Sequence, residues 1–139
     1  MKVQPYLAFK GDCKNALEHY QSILGGNIVN EQTYNDVEAD IPGSYRNKLQ
    51  HAELKGDGFH IMAYDASPDT PLTNGTNINM SIDAESKDKA KDIFNKLSQG
   101  GTIHTPFQEM SWDACYGSHD VWHGIGDHRY RRQPRLCTE

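Results

Sequence analysis

The chain repeats itself. A polar cap, an amphipathic segment and a double glycine run from Asp12 to Gly26, and the same pattern returns from Ser86 to Gly101. Asp12 corresponds to Ser86, Ala16 to Ala90, Tyr20 to Phe94, Ile23 to Leu97 and Gly26 to Gly100, each at a step of 74 residues. Strand-like segments flank both copies. A duplicated strand-helix-strands unit forms a cleft between its halves, and clefts are where small molecules bind. The strands keep the step less well than the helices, since Leu7 falls on Ser81.

The first copy is predicted to begin with a strand over Val3 to Phe9. Asp12 is placed to accept the orphan N–H groups of the following helix. Ala16, Leu17, Tyr20, Ile23 and Leu24 follow helical spacing, and Gly25 stands where a left-handed cap is wanted. Further strands are expected over Asn27 to Tyr34, Lys48 to Lys55 and Phe59 to Tyr64, the last two joined by Gly56-Asp57-Gly58. The polar stretch from Asn35 to Asn47 reads as a loop, and residues 66–76 as a linker. The second copy is predicted as a strand over Asn77 to Asp83, a helix capped by Ser86 with the stripe Ala90, Ile93, Phe94 and Leu97, and a strand over Thr102 to Glu109. Pro106 marks an edge or a bulge in that last strand.

With 139 residues the chain is expected to form one domain of two half-size modules, residues 1–65 and 77–117, with an atypical tail at 118–139. Its formal net charge of −5 argues against nucleic-acid binding. No apolar run approaches the roughly 18 residues of a membrane span. The opening MKVQPYLAF has no signal-peptide core, and three cysteines make no even-numbered disulfide framework, so a cytoplasmic location is expected.

Three segments carry a family resemblance. QPYLAFKGDCKNALEHYQSILGG, HAELKGDGFHIMAYDASP and NINMSIDAESKDKAKDIFNKLSQGGTIHTPFQEMSWDACYG resemble, in order, the segments of PhnB-like proteins. These are similar to 3-demethylubiquinone 3-methyltransferase and belong to the glyoxalase, bleomycin resistance and dioxygenase (vicinal oxygen chelate) superfamily. The resemblance covers residues 1–117. It implies an α+β fold of two β-α-β-β-β modules, an open curled mixed sheet with the helices outside, and a homodimer. In metal-dependent members of that superfamily both modules contribute His, Glu or Gln ligands to one divalent ion. The chain shows no Gly-rich strand-to-helix turn for S-adenosylmethionine.

Strand alternation sorts the side chains. Val3, Leu7 and Phe9 are expected on the helix side of the first strand, with Gln4 and Tyr6 toward the cleft. Ala52, Leu54, Phe59 and Ile61 pack, leaving His51, Glu53, His60, Met62 and Tyr64 inward. Ile78, Met80 and Ile82 pack, leaving Asn79 inward. The expected ligand-binding cleft is therefore Gln4, Tyr6, His51, Glu53, His60, Tyr64 and Asn79, with Trp112 of the Trp-x-x-x-Tyr-Gly segment as an aromatic wall. Gln4, His51, Glu53 and His60 are the candidate ligands for a divalent metal (Zn, Mn, Ni or Fe). The same histidines read equally as strand neighbours satisfied by hydrogen bonds. No catalytic residue is assigned. Three functions stay open: a protein binding an unidentified small molecule, a metal-dependent lyase or dioxygenase, and a non-catalytic sequestering or structural protein.

After Gly117 the resemblance stops. SHDVWHGIGDHRYRRQPRLCTE has no strand periodicity, so the last strand of the second module is expected to be missing. Reading His119 to Arg131 one base later yields a strand-like pattern with an aromatic–Gly option, which points to a frameshift in the coding sequence. Cys115, His119, His123, His128 and Cys137 form a rival zinc set, although their spacing matches no standard structural site.

Overall fold

A computed structural model describes residues 1–37, 40–75, 77–110 and 115–120, and the backbone of residues 131 and 132. The chain divides into two units, Met1–Thr73 and Asn74–Glu139, with the division inside the segment read as a linker.

In the first unit the order is β1 (Tyr6–Phe9), α1 (Cys13–Leu24), β2 (Asn27–Thr33), β3 (Leu49–Gly56) and β4 (Phe59–Asp65). The four strands form one sheet in the order β1-β4-β3-β2, with β1 parallel to β4 and the other pairs antiparallel. Helix α1 buries Cys13, Ala16, Leu17 and Tyr20, a stripe spaced three and four residues apart. The sheet buries Leu7, Phe9, Ala52, Leu54, Ile61 and Ala63. Each large side chain of this core contributes roughly 1.5–3 kcal/mol on leaving water. That burial fixes the strand register, because a slip of one residue would exchange the two faces of the sheet.

Two expectations for this unit are corrected. Asp12 stands at the N-cap but makes no side-chain cap bond. The carboxylate of Asp65, at the end of β4, takes that role instead: its Oδ1 accepts the N–H groups of Gly11 at 2.8 Å and Cys13 at 3.0 Å. Val3 is 94 % exposed rather than packed. The strand starts after Pro5, which has no N–H to give to a ladder; its carbonyl still accepts from the Met62 N–H at 3.0 Å.

The second unit contains β5 (Asn79–Met80), α2 (Lys87–Leu97), β6 (Ile103–Glu109), β7 (Cys115–His119) and β8 (Arg131–Arg132). Ser86 caps α2 as expected, accepting the Lys89 N–H at 3.2 Å. Ile93, Phe94 and Leu97 are the buried stripe. Strand β6 pairs with β7, with register shifts on either side of Thr105 where Pro106 interrupts the ladder. Strand β5 is shorter than predicted, and Ile78, ahead of its paired residues, is 71 % exposed.

The expected loss of the final strand is also corrected. Arg131 and Arg132 pair in parallel with Asn79 and Met80. Each unit thus has the order β-α-β-β-β, with its first and last strands paired in parallel, and the architecture is α+β with open mixed sheets. The repeat is therefore one of topology as well as of helices. Among the described residues no helix is long and apolar enough to cross a membrane.

Candidate functional site

The polar face of the first sheet is organised around one carboxylate. Glu53 lies on β3 between the buried Ala52 and Leu54, so the pleat turns it away from α1. Its Oε1 is 3.1 Å from His51 Nε2, and its Oε2 is 2.5 Å from His60 Nε2. Asn30 donates to Oε1 at 3.1 Å, and the Lys55 ammonium lies 3.3 Å from Oε2. The Glu53 side chain is only 13 % exposed.

Both imidazoles are held from behind. The Tyr6 hydroxyl is 2.8 Å from His51 Nδ1, and the Gln4 side-chain amide meets His60 Nδ1. An ionised carboxylate only accepts, so each Nε2 carries its proton and donates to Glu53. Each Nδ1 then accepts, from the phenol of Tyr6 and from the amide of Gln4. Every bond in the ladder Tyr6–His51–Glu53–His60–Gln4 is satisfied with both rings neutral.

Electrostatics agree with this proton assignment. Hydrogen bonds from His51, Asn30 and His60 hold the Glu53 carboxyl down at about 2, against a smaller opposing effect of burial. Tyr6 is pushed the other way, upward, by burial and then by Tyr64, Cys13 and Glu53, so it rests as a phenol. Its ring meets Tyr64 at 5.0 Å and His51 at 5.6 Å, both edge-on. Tyr6 is still 50 % exposed, which makes it the open end of the ladder.

The structure thus brings together Gln4, Tyr6, His51, Glu53, His60 and Tyr64 within the first unit. Asn79 belongs to the second unit, on β5. Trp112 lies outside the described residues. Sequence reasoning missed Asn30 and Lys55. Asn30 has φ +55° at a register shift in β2, a left-handed conformation that Asn adopts more readily than most residues. An asparagine inside a strand pattern was the available signal.

Two imidazoles and a carboxylate are suitable donor types for a divalent ion. As arranged they do not fit one. Each Nε2 faces a different carboxylate oxygen, Gln4 stands behind His60, and among the described residues no group of three His, Cys, Asp or Glu side chains could hold a metal. Of the tail zinc set, Cys115 and His119 are buried in β7, where His119 stacks edge-on against Phe94 at 5.0 Å. His123, His128 and Cys137 lie outside the described residues, as does most of the segment read as a frameshift.

The family described as 3-demethylubiquinone-9 3-methyltransferase matches residues 1–118. Protein YjdN of Escherichia coli (strain K12) is 25 % identical over 127 residues, covering 84 % of this chain and 86 % of that protein. Among solved structures, protein PA1353 from Pseudomonas aeruginosa superposes with a TM-score of 0.85 at 26 % identity, covering 100 % of this chain and 99 % of the other. The fosfomycin resistance protein FosX from Listeria monocytogenes shares the fold alone, with a TM-score of 0.63 at 8 % identity over 99 % of this chain and 93 % of the other.

Proposed function

This chain belongs to the 3-demethylubiquinone-9 3-methyltransferase family of PhnB-like proteins, with a glyoxalase-superfamily fold, and on that premise we propose that it binds a small polar molecule on the His51–Glu53–His60 face of its first unit. The observation that carries the reading is the ionised Glu53 carboxylate between two neutral imidazoles, only partly open to water. A ligand hydroxyl, carbonyl or amide can replace one of these hydrogen bonds without leaving a charge unpaired. The rings of Tyr6 and Tyr64 offer an apolar flank beside it. We also keep the homodimer and the cytoplasmic location within this proposal; light scattering and cell fractionation read them.

A thermal-shift screen of small carboxylic acids, phenols, thiols and amides against the wild type and Glu53→Gln tests the site. A ligand at about one hundred times its Kd stabilises the protein by about 2.7 kcal/mol. Compounds that stabilise the wild type should lose that effect in Glu53→Gln. Equal stabilisation of both proteins, or of neither by any compound, contradicts the proposal. Metal analysis of the wild type, His51→Ala and His60→Ala tests the metal-dependent lyase or dioxygenase alternative. Stoichiometric ion in the wild type that either variant loses would replace the present reading.

A further inference from the structure

The upper half of the ladder has an order of its own. Glu53 Oε1 holds His51 Nε2 at 3.1 Å, and His51 Nδ1 faces the Tyr6 hydroxyl at 2.8 Å. A carboxylate that orients an imidazole, which in turn accepts from a hydroxyl, is the arrangement by which a weak nucleophile is activated. Here the hydroxyl is a phenol, and it is the exposed member. We propose that Glu53, His51 and Tyr6 form a nucleophilic relay in which Tyr6 attacks electrophilic acyl carbons of small molecules bound at this face. This rests on the binding reading above and adds a reaction to it.

The step balances. The Tyr6 oxygen forms a bond to the acyl carbon while the phenol proton passes to His51 Nδ1. The bond from that carbon to the leaving oxygen breaks, and the leaving group departs with the electron pair as an anion. The resulting imidazolium stays paired with Glu53 through its Nε2 proton. Resting Tyr6 is a full phenol, so reaction depends on the imidazole taking the proton during attack. The neighbouring tyrosines provide contrast. The Tyr34 and Tyr45 hydroxyls donate to the backbone carbonyls of Asp65 and Ala66, which cannot take up a proton. His60 holds the second oxygen of Glu53 and positions the carboxylate.

The probe is p-nitrophenyl acetate at neutral pH, with peptide mapping by mass spectrometry. General-base assistance is worth roughly a hundredfold or more. Acetylation of Tyr6 should therefore exceed that of Tyr34 and Tyr45 by at least about tenfold, and fall by at least about tenfold in His51→Gln and Glu53→Gln. Tyr6→Phe should carry no adduct at that position. The comparison among tyrosines within the wild type needs no variant to fold. Tyr6 labelled no faster than Tyr34 and Tyr45, an adduct on His51 in its place, or an unchanged Tyr6 rate in a folded His51→Gln protein overturns the relay. Ligands found by thermal shift would still support binding in that event, so the two readings fail separately.

Discussion

The Oδ1 atom of Asp65 accepts the backbone N–H of Cys13 at 3.0 Å, so the first turn of α1 is capped from the far end of β4. The same oxygen takes the Gly11 N–H at 2.8 Å, and Oδ2 takes that of Leu49 at 3.0 Å. One carboxylate, 1 % exposed, therefore ties the helix, β3 and β4 together beneath the sheet that carries the site.

Asp65→Ala should lower the stability of the first unit by about 3 kcal/mol, because it leaves three buried N–H groups without their charged partner. Asp12→Ala should cost less than about 0.5 kcal/mol, the range of a surface change, since its side chain caps nothing. Ser86→Ala, which removes a true cap, should cost about 1 kcal/mol. Urea denaturation followed by circular dichroism ranks the three.

The two glycines after α1 should respond differently. Both have positive φ, +78° at Gly25 and +88° at Gly26. A Cβ on Gly25 meets nothing within 4 Å, whereas one on Gly26 would lie 2.5 Å from the Lys55 carbonyl oxygen. Gly25→Ala should cost about 1 kcal/mol for its backbone conformation alone. Gly26→Ala adds a clash with the β3 backbone and should cost more than about 2 kcal/mol in the same denaturation assay.

Cys13 should be inert. It is fully buried, and burial followed by the charges of Asp65 and Glu31 pushes its thiol pKa well up, so the reactive thiolate is withheld. Iodoacetamide at pH 8 should leave the Cys13 peptide unlabelled in the native protein and label it fully in urea. Native labelling at Cys13 would contradict the packing of α1.

Much of the fold was legible because helices leave strong periodic signals. The 74-residue step located both helices, and alternation along β3 and β4 placed His51, Glu53 and His60 on one face. The helix cap was misread because local spacing favours Asp12, while the true partner is brought in by tertiary pairing 52 residues away. Asn30 was missed because it reaches Glu53 only through a left-handed bulge, which strand periodicity does not encode. The short β8 escaped notice because two paired residues are too few to show a period.

Acid should weaken the first unit through Glu53. Its carboxyl is held at about 2 in the folded protein, against roughly 4.3 in an unfolded chain. This contribution is fully present above about pH 4.3 and is lost as pH falls toward about 2, because the unfolded chain takes up the proton first. Glu53→Gln should flatten that limb of the stability profile. Asp36, lowered by its bonds to Thr33, adds in the same direction in both proteins. An unchanged profile in the variant would contradict the ladder.

The most direct measurement is the titration of Glu53 itself, followed through its side-chain carboxyl carbon by NMR. The account predicts a carboxylate that stays ionised through pH 4 with a midpoint at about 2. A midpoint at the ordinary glutamate value of about 4.3 would show that His51, His60 and Asn30 do not converge on it, and the site would lose its centre.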